Sequence, residues 1–158
     1  MKLFCVRHGH AEPEPTLNGA RPLNKQGKQE VTKVAEYLAR RGVHVSHVMH
    51  SGKLRAEQTA TILADKMLTT GQAVEVTDLL EPGRAVTPLV EMLQNWHDDT
   101  MLVGHMPFMS QLVSALILND DGYNIIRFPP ATIVCLEQYE HRWILNWVLR
   151  PDLVSDKD

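Results

Sequence analysis

Leu3-Phe4-Cys5-Val6-Arg7-His8-Gly9 and, late in the chain, Met101-Leu102-Val103-Gly104-His105 are the two stretches that decide the fold. Each begins as a short apolar run without polar alternation, the pattern of a strand buried on both faces. Each then ends in a histidine next to a glycine. Two-sided burial requires helices above and below the sheet, and the intervening sequence supplies them.

After the first run, Val31, Val34, Ala35 and Leu38 recur at helical spacing, with Asn24 as N-cap and Gly42 as a stop behind the basic pair Arg40-Arg41. A strand is expected over Val45 to His50. A second helix starts near Leu54, with Ala56, Ala60, Leu63 and Met67 inward. Val74-Glu75-Val76 reads as a short strand. Val86, Leu89, Val90 and Leu93 read as a third helix with Pro88 in its first turn. Leu112, Val113, Leu116 and Ile117 mark a fourth helix. Thr132 to Tyr139 and Trp143 to Leu149 read as a C-terminal β-hairpin, with Trp143, Leu145, Trp147 and Leu149 on one face of the second strand. Alternating strands and helices with short connections give a three-layer α/β/α fold with a largely parallel central sheet. Residues 1–150 form one domain in this reading, and the polar tail 151–158 is expected to fray.

The chain has 158 residues, of which 44% are hydrophobic and 22% charged, an ordinary globular balance. A formal net charge of -3 gives no basic surplus for nucleic acid or acidic membranes, so any anion site must be local. No apolar run approaches the roughly 20 residues that span a bilayer. Cys5 and Cys135 both sit in apolar runs and read as buried thiols, and no cleavable leader is evident. A cytoplasmic location follows. Trp96, Trp143 and Trp147 read as core or helix-packing residues. Eight histidines raise the question of a metal, above all His8-Gly9-His10 and the series His44, His47, His50. No HExxH or cysteine-rich spacing accompanies them, and a strand does not converge a three-residue series on one ion, so no metal and no cofactor is expected.

The residue types that do combine point to phosphate chemistry. A phosphoryl group presents several oxyanions, so its site needs fixed cations, backbone donors and an in-line nucleophile. Arg7-His8-Gly9 offers a guanidinium, an imidazole and a glycine that permits close backbone approach. Ser51 and Arg55 flank the start of the second helix, where free N–H groups favour anions. Gly104-His105 stands at the end of another strand, and in parallel sheets ligands sit beyond such ends. An Arg-His-Gly tripeptide alone arises by chance in on the order of one chain of this length in a hundred. The combination is far rarer.

Arg7-His8-Gly9, Arg21-Pro22-Leu23 with Gly27, Ser51-x-x-x-Arg55-Ala56-x-Gln58-Thr59-Ala60 and Gly104-His105 together resemble the histidine phosphatase (phosphoglycerate mutase-like) superfamily. The short chain and the Arg21-Pro22-Leu23 and Leu54-Arg55-Ala56-Glu57-Gln58-Thr59 segments resemble its SixA-type phosphohistidine phosphatases most. The resemblance implies that His8 is the nucleophile and phosphohistidine carrier, and that Arg7, Arg55 and His105 hold the phosphoryl oxygens. Gly9 and Ser51 read from their own positions as further phosphate contacts, Ser51 having an alternative reading as a helix cap. Glu81 is implied as a general acid, the alternative being that it only begins the Glu81-Pro82-Gly83 turn. His10 and Gly52 depart from the pattern, which often has an acidic or small polar residue at the first and proline at the second.

The resemblance implies metal-independent removal of phosphate from a phosphohistidine-bearing signalling or phosphotransfer protein. Other readings are a phosphatase or mutase for small metabolites, or a phosphoprotein-binding module without turnover. A mutase must shield its intermediate from water. Only Asp78 to Pro88 and Asn119 to Pro130 offer length for a lid, which favours a phosphatase. Oligomeric state is not legible.

Overall fold

A computed structural model describes residues 1–156. In chain order the elements are β1 (Lys2–Arg7), α1 (Lys25–Arg40), β2 (His47–His50), α2 (Leu54–Met67), β3 (Val74–Val76), α3 (Thr87–Leu93), β4 (Thr100–Gly104), α4 (Phe108–Leu118), β5 (Ile133–Tyr139) and β6 (Arg142–Leu149). Short 3₁₀ turns at Asp78–Leu80 and Pro151–Leu153 complete the chain.

The six strands form one mixed sheet in the order β3-β2-β4-β1-β5-β6. β3, β2, β4 and β1 run parallel, while β5 is antiparallel to β1 and β6 to β5. The expected largely parallel α/β sheet with a C-terminal hairpin is therefore what the chain adopts. β1 and β4 lie side by side at its centre, in register from Leu3 opposite Thr100 to Arg7 opposite Gly104.

The apolar runs fill both layers, as two-sided burial demands. Phe4 and Val6 face one core with Val34 and Leu38 of α1 and Ala60 and Leu63 of α2. Leu3 and Cys5 face the opposite core with Leu89 of α3 and Leu112 and Leu116 of α4. Emptying the Phe4 position to alanine would cost about 3–5 kcal/mol, because a packed site between helix and sheet collapses poorly. Asn24 caps α1 as expected, its Oδ1 accepting the Gly27 N–H at 2.8 Å. Cys5 and Cys135 are free and fully buried on opposite faces of the sheet, and burial pushes both thiols up.

Three expectations need correction. β6 does not keep its apolar residues on one face, because a bulge shifts the register between Cys135 opposite Trp147 and Leu136 opposite Leu145. The extra residue turns Trp147 and Leu149 toward the α1/α2 core, whereas Trp143 packs on the α3/α4 side. The start of the tail is packed rather than frayed: Pro151 is buried, and Val154, 3% exposed, joins the core beneath α1. Finally, Val45 makes only an isolated bridge to Leu68, so β2 starts at His47.

Candidate active site

α1 leaves the carboxyl end of β1 over one face of the sheet, and α4 leaves the neighbouring end of β4 over the other. Such a switch of direction opens a crevice between two adjacent strand ends. His8 and His105 are the first residues beyond those ends. The His8 N–H continues the ladder to the Gly104 carbonyl at 3.0 Å, and the two imidazole rings stand 5.0 Å apart, tilted by 56°.

The second motif holds the first in place. Gln58 Oε1 accepts the Leu23 N–H at 2.7 Å. Thr59 Oγ1 accepts the Gly9 N–H at 3.1 Å and donates to the Arg55 carbonyl at 2.7 Å. The loop after β1 is thereby tied to the first turns of α2, which sets Arg55 opposite His8. Two glycines permit the close packing: a Cβ on Gly9 would come within 2.8 Å of Val31, and one on Gly27 within 2.1 Å of the His10 carbonyl oxygen. Gly52 has φ +87, which proline cannot adopt, so the turn into α2 differs here from a proline-bearing one.

A cleft of about 330 Å³ lies over the strand ends. Its walls carry the guanidinium groups of Arg7, Arg21 and Arg55 and the imidazoles of His8, His10 and His105, with Gly9, Ala11, Pro82, Met106 and Pro130 between them. Among the described residues no carboxylate lines it. A larger hollow of about 950 Å³ between α3, α4 and β6 gathers mostly amide and apolar groups, without such a cluster of cations.

Arg7 Nη1 donates to the Phe128 carbonyl at 2.8 Å, which aims its side chain. Arg7 Nε, Arg55 Nε and His105 Nδ1 are buried without a hydrogen-bond partner. Three unused nitrogens on residues around one cleft suit an oxyanion with several oxygens, since orphaned buried donors otherwise cost free energy.

His8 Nδ1 lies 2.8 Å from the Gly9 carbonyl oxygen. A carbonyl only accepts, so the ring proton resides on Nδ1 and the lone pair on Nε2. Burial lowers His8 to about 4, with Arg55, Arg7 and Arg21 adding to the effect and the Gly9 carbonyl opposing it. Burial likewise lowers His105 to about 3, helped by His8, Arg55, Lys53 and Arg21. Both rings are neutral at ordinary pH.

The structure thus brings Arg7, His8, Gly9, Arg55 and His105 together. Gly9 lines the cleft, although its N–H is already used by Thr59. Ser51 does not line it: the side chain sits behind His105, with Oγ 2.6 Å from Nε2, and Lys53 rather than Ser51 is the N-cap of α2. Glu81 is exposed and outside the cleft walls, where Pro82 stands instead. Its backbone closes the turn, donating to Asp78 and accepting from Arg84. His10 lines the cleft, with Nε2 3.7 Å from Glu30 Oε2 on α1. Sequence reasoning missed Arg21 as a site residue. The signal was present in Arg21-Pro22-Leu23, but it takes long-range contacts, the bridge between Ala11 and Leu23 and the Leu23–Gln58 hydrogen bond, to return that segment to the cleft.

The model of the histidine phosphatase superfamily (branch 1) matches residues 3–83, which include Arg7-His8-Gly9 and the first turns of α2. The phosphohistidine phosphatase SixA of Escherichia coli K12 is 30% identical over 120 residues, covering 73% of this chain and 74% of its own. A structure of the protein histidine phosphatase SixA complexed with tungstate superposes with a TM-score of 0.85 at 26% identity, over 98% of this chain and 100% of that one. A phosphoserine phosphatase of Entamoeba histolytica shares the fold at a TM-score of 0.71 and 14% identity, over 93% of this chain and 95% of that one. With the motifs and the strand-end cleft in agreement, the chain belongs to the histidine phosphatase superfamily.

Proposed function

We propose that this phosphatase works through a phosphorylated His8 and that its substrate is phosphohistidine carried on a protein. The observation that carries the reading is the composition of the cleft wall, three guanidiniums and three imidazoles with no carboxyl group among the described residues. Breaking a phosphate ester expels an alkoxide, which needs a proton from an acid at the moment of departure. Breaking a phosphorus–nitrogen bond to imidazole does not, provided that the second ring nitrogen of the leaving imidazole already bears a proton.

In the first step, the His8 Nε2 lone pair attacks phosphorus while the bond to the substrate nitrogen breaks and its electron pair stays on that nitrogen. The substrate imidazole departs neutral. Arg7, Arg55 and His105 hold the phosphoryl oxygens, and Arg21 adds positive charge. In the second step, water attacks phosphorus and the bond to Nε2 breaks. The proton on Nδ1, held by the Gly9 carbonyl, lets His8 leave neutral as well. Both protons of the water leave with the inorganic phosphate. The scheme uses no metal and no cofactor, and Glu81 serves the turn rather than the proton transfer. Two unbridged buried thiols support a reducing, cytoplasmic setting, and a phosphotransfer or signalling protein is the fitting partner.

A panel of a phosphohistidine protein, a phosphoglycerate and a sugar phosphate, each with and without chelator, tests the reading. Turnover of the phosphohistidine protein, indifferent to chelator, is expected to exceed that of the esters by at least about tenfold in kcat/KM, the acid-free cleft costing the esters on the order of 10²-fold. Turnover of the esters alone would assign the chain to small metabolites. Anion binding without turnover of any of the three would make it a binding module.

A further inference from the structure

Ser51 and His105 form a buried pair that the scheme above leaves unexplained. Ser51 is 7% exposed and His105 4%. Their polar atoms, Oγ and Nε2, are 2.6 Å apart. Ser51 Oγ also accepts the Lys53 N–H at 3.4 Å. Among the described residues, Nε2 is the one acceptor the structure gives to the Ser51 hydroxyl proton. With the hydroxyl donating, Nε2 must hold a lone pair, and the ring proton of a neutral His105 belongs on Nδ1. That nitrogen is the buried atom without a partner.

We propose that Ser51 is a positioning residue that fixes the tautomer of His105, so that Nδ1–H is a donor committed in advance to a phosphoryl oxygen. The proposal rests on the phosphatase reading for the identity of the anion, but not for the tautomer itself. Without the hydroxyl, the ring is free to place its proton on Nε2. Nδ1 then turns a lone pair toward the anion, which repels it. A hydroxyl at the head of α2 thereby acts on the phosphoryl group through the histidine it touches.

The test is long-range ¹H–¹⁵N correlation on the uniformly labelled full chain, where protonated and bare ring nitrogens resonate at well-separated shifts. In the unmodified protein His105 is expected to carry its proton on Nδ1. In Ser51→Ala the proton should move to Nε2 or divide between the two sites, and Ser51→Thr should restore Nδ1. Inorganic phosphate, titrated into the same samples, should bind about tenfold more weakly to Ser51→Ala, the effect of one charge-assisted hydrogen bond. A proton on Nε2 in the unmodified protein overturns the proposal even if no variant folds. An unchanged tautomer in folded Ser51→Ala overturns it equally. Neither readout uses turnover, so failure of the phosphatase reading would show separately, as absence of activity with the tautomer still fixed.

Discussion

His8 and His47 are the same residue at opposite ends of the sheet, and their surroundings separate their chemistry. His8 follows the carboxyl end of β1 and faces the cleft that Arg7, Arg21 and Arg55 line. His47 opens β2 at its amino end, with Nδ1 3.6 Å from Glu75 Oε1 and Nε2 3.6 Å from Asp98 Oδ2. A phosphoryl group is attracted to the first location and repelled from the second. Both nitrogens of His47 already face carboxylates, whereas His8 has one nitrogen tied to a backbone carbonyl and the other unoccupied. Histidine content therefore says little about function in this chain. The sign of the neighbouring charge and the strand end at which a ring sits say far more.

The hardest test of that contrast is His8→Asn, which keeps a polar side chain at the strand end but removes the proposed nucleophile. Turnover should fall by on the order of a thousandfold or more, as when nucleophiles are deleted from covalent enzymes. Rapid-quench experiments should find acid-labile phosphate on the unmodified protein and none on the variant. A variant that still took up label would move the nucleophile elsewhere, and the cleft would lose its central assignment.

A medium-sized effect lies in the acid range. His8 falls from 6.5 to about 4 on folding, and His105 from 6.5 to about 3. Above pH 6.5 each ring is neutral in the folded and unfolded chain alike, and neither affects the pH dependence. Below it the unfolded chain takes up protons that the folded chain refuses, so stability drops as pH falls from 6.5 to about 4 for His8 and on to about 3 for His105. Each ring contributes less than about 1.4 kcal/mol per pH unit, the limit for one proton. Denaturant unfolding of the unmodified protein and of His8→Asn between pH 7 and pH 4 reads the His8 share together with the help His8 gives to lowering His105. The variant should lose less stability over that interval. Parallel curves would show that the cleft does not hold His8 neutral.

The sequence made the strands that build the cleft easy to find, because burial on both faces leaves unbroken apolar runs at Leu3–Val6 and Met101–Val103. Its short motifs also pointed to Arg7, His8, Gly9, Arg55 and His105, which the fold brings around one cleft. What it hid depends on geometry at long range. The bulge in β6 is one extra residue against a partner strand, invisible in an alternating pattern, and it sent Trp147 to the other face from Trp143. Val154 belongs to a polar tail by composition, yet the chain folds back beneath α1 and buries it. Arg21 reaches the cleft through a bridge between Ala11 and Leu23, and Ser51 touches a histidine 54 positions away. Glu81 stands at the position suggested by the family pattern, but the turn points its neighbour Pro82 into the cleft instead.

The smallest expected effect completes the contrast. His47→Gln leaves a hydrogen-bonding side chain between Glu75 and Asp98 while removing the imidazole. Those carboxylates are 50% and 70% exposed and His47 itself 34%, so the pairs lie largely in water, where such contacts contribute about 0–1 kcal/mol. Stability should change by no more than that, and kcat with a phosphohistidine protein should stay within about twofold, as for other surface substitutions away from a site. Because His47 and the cleft lie at opposite ends of the strands, a tenfold loss of kcat in a variant of unchanged stability would mean that the amino end of β2 takes part in the reaction. Surroundings alone would then no longer distinguish the working histidines from the ordinary ones.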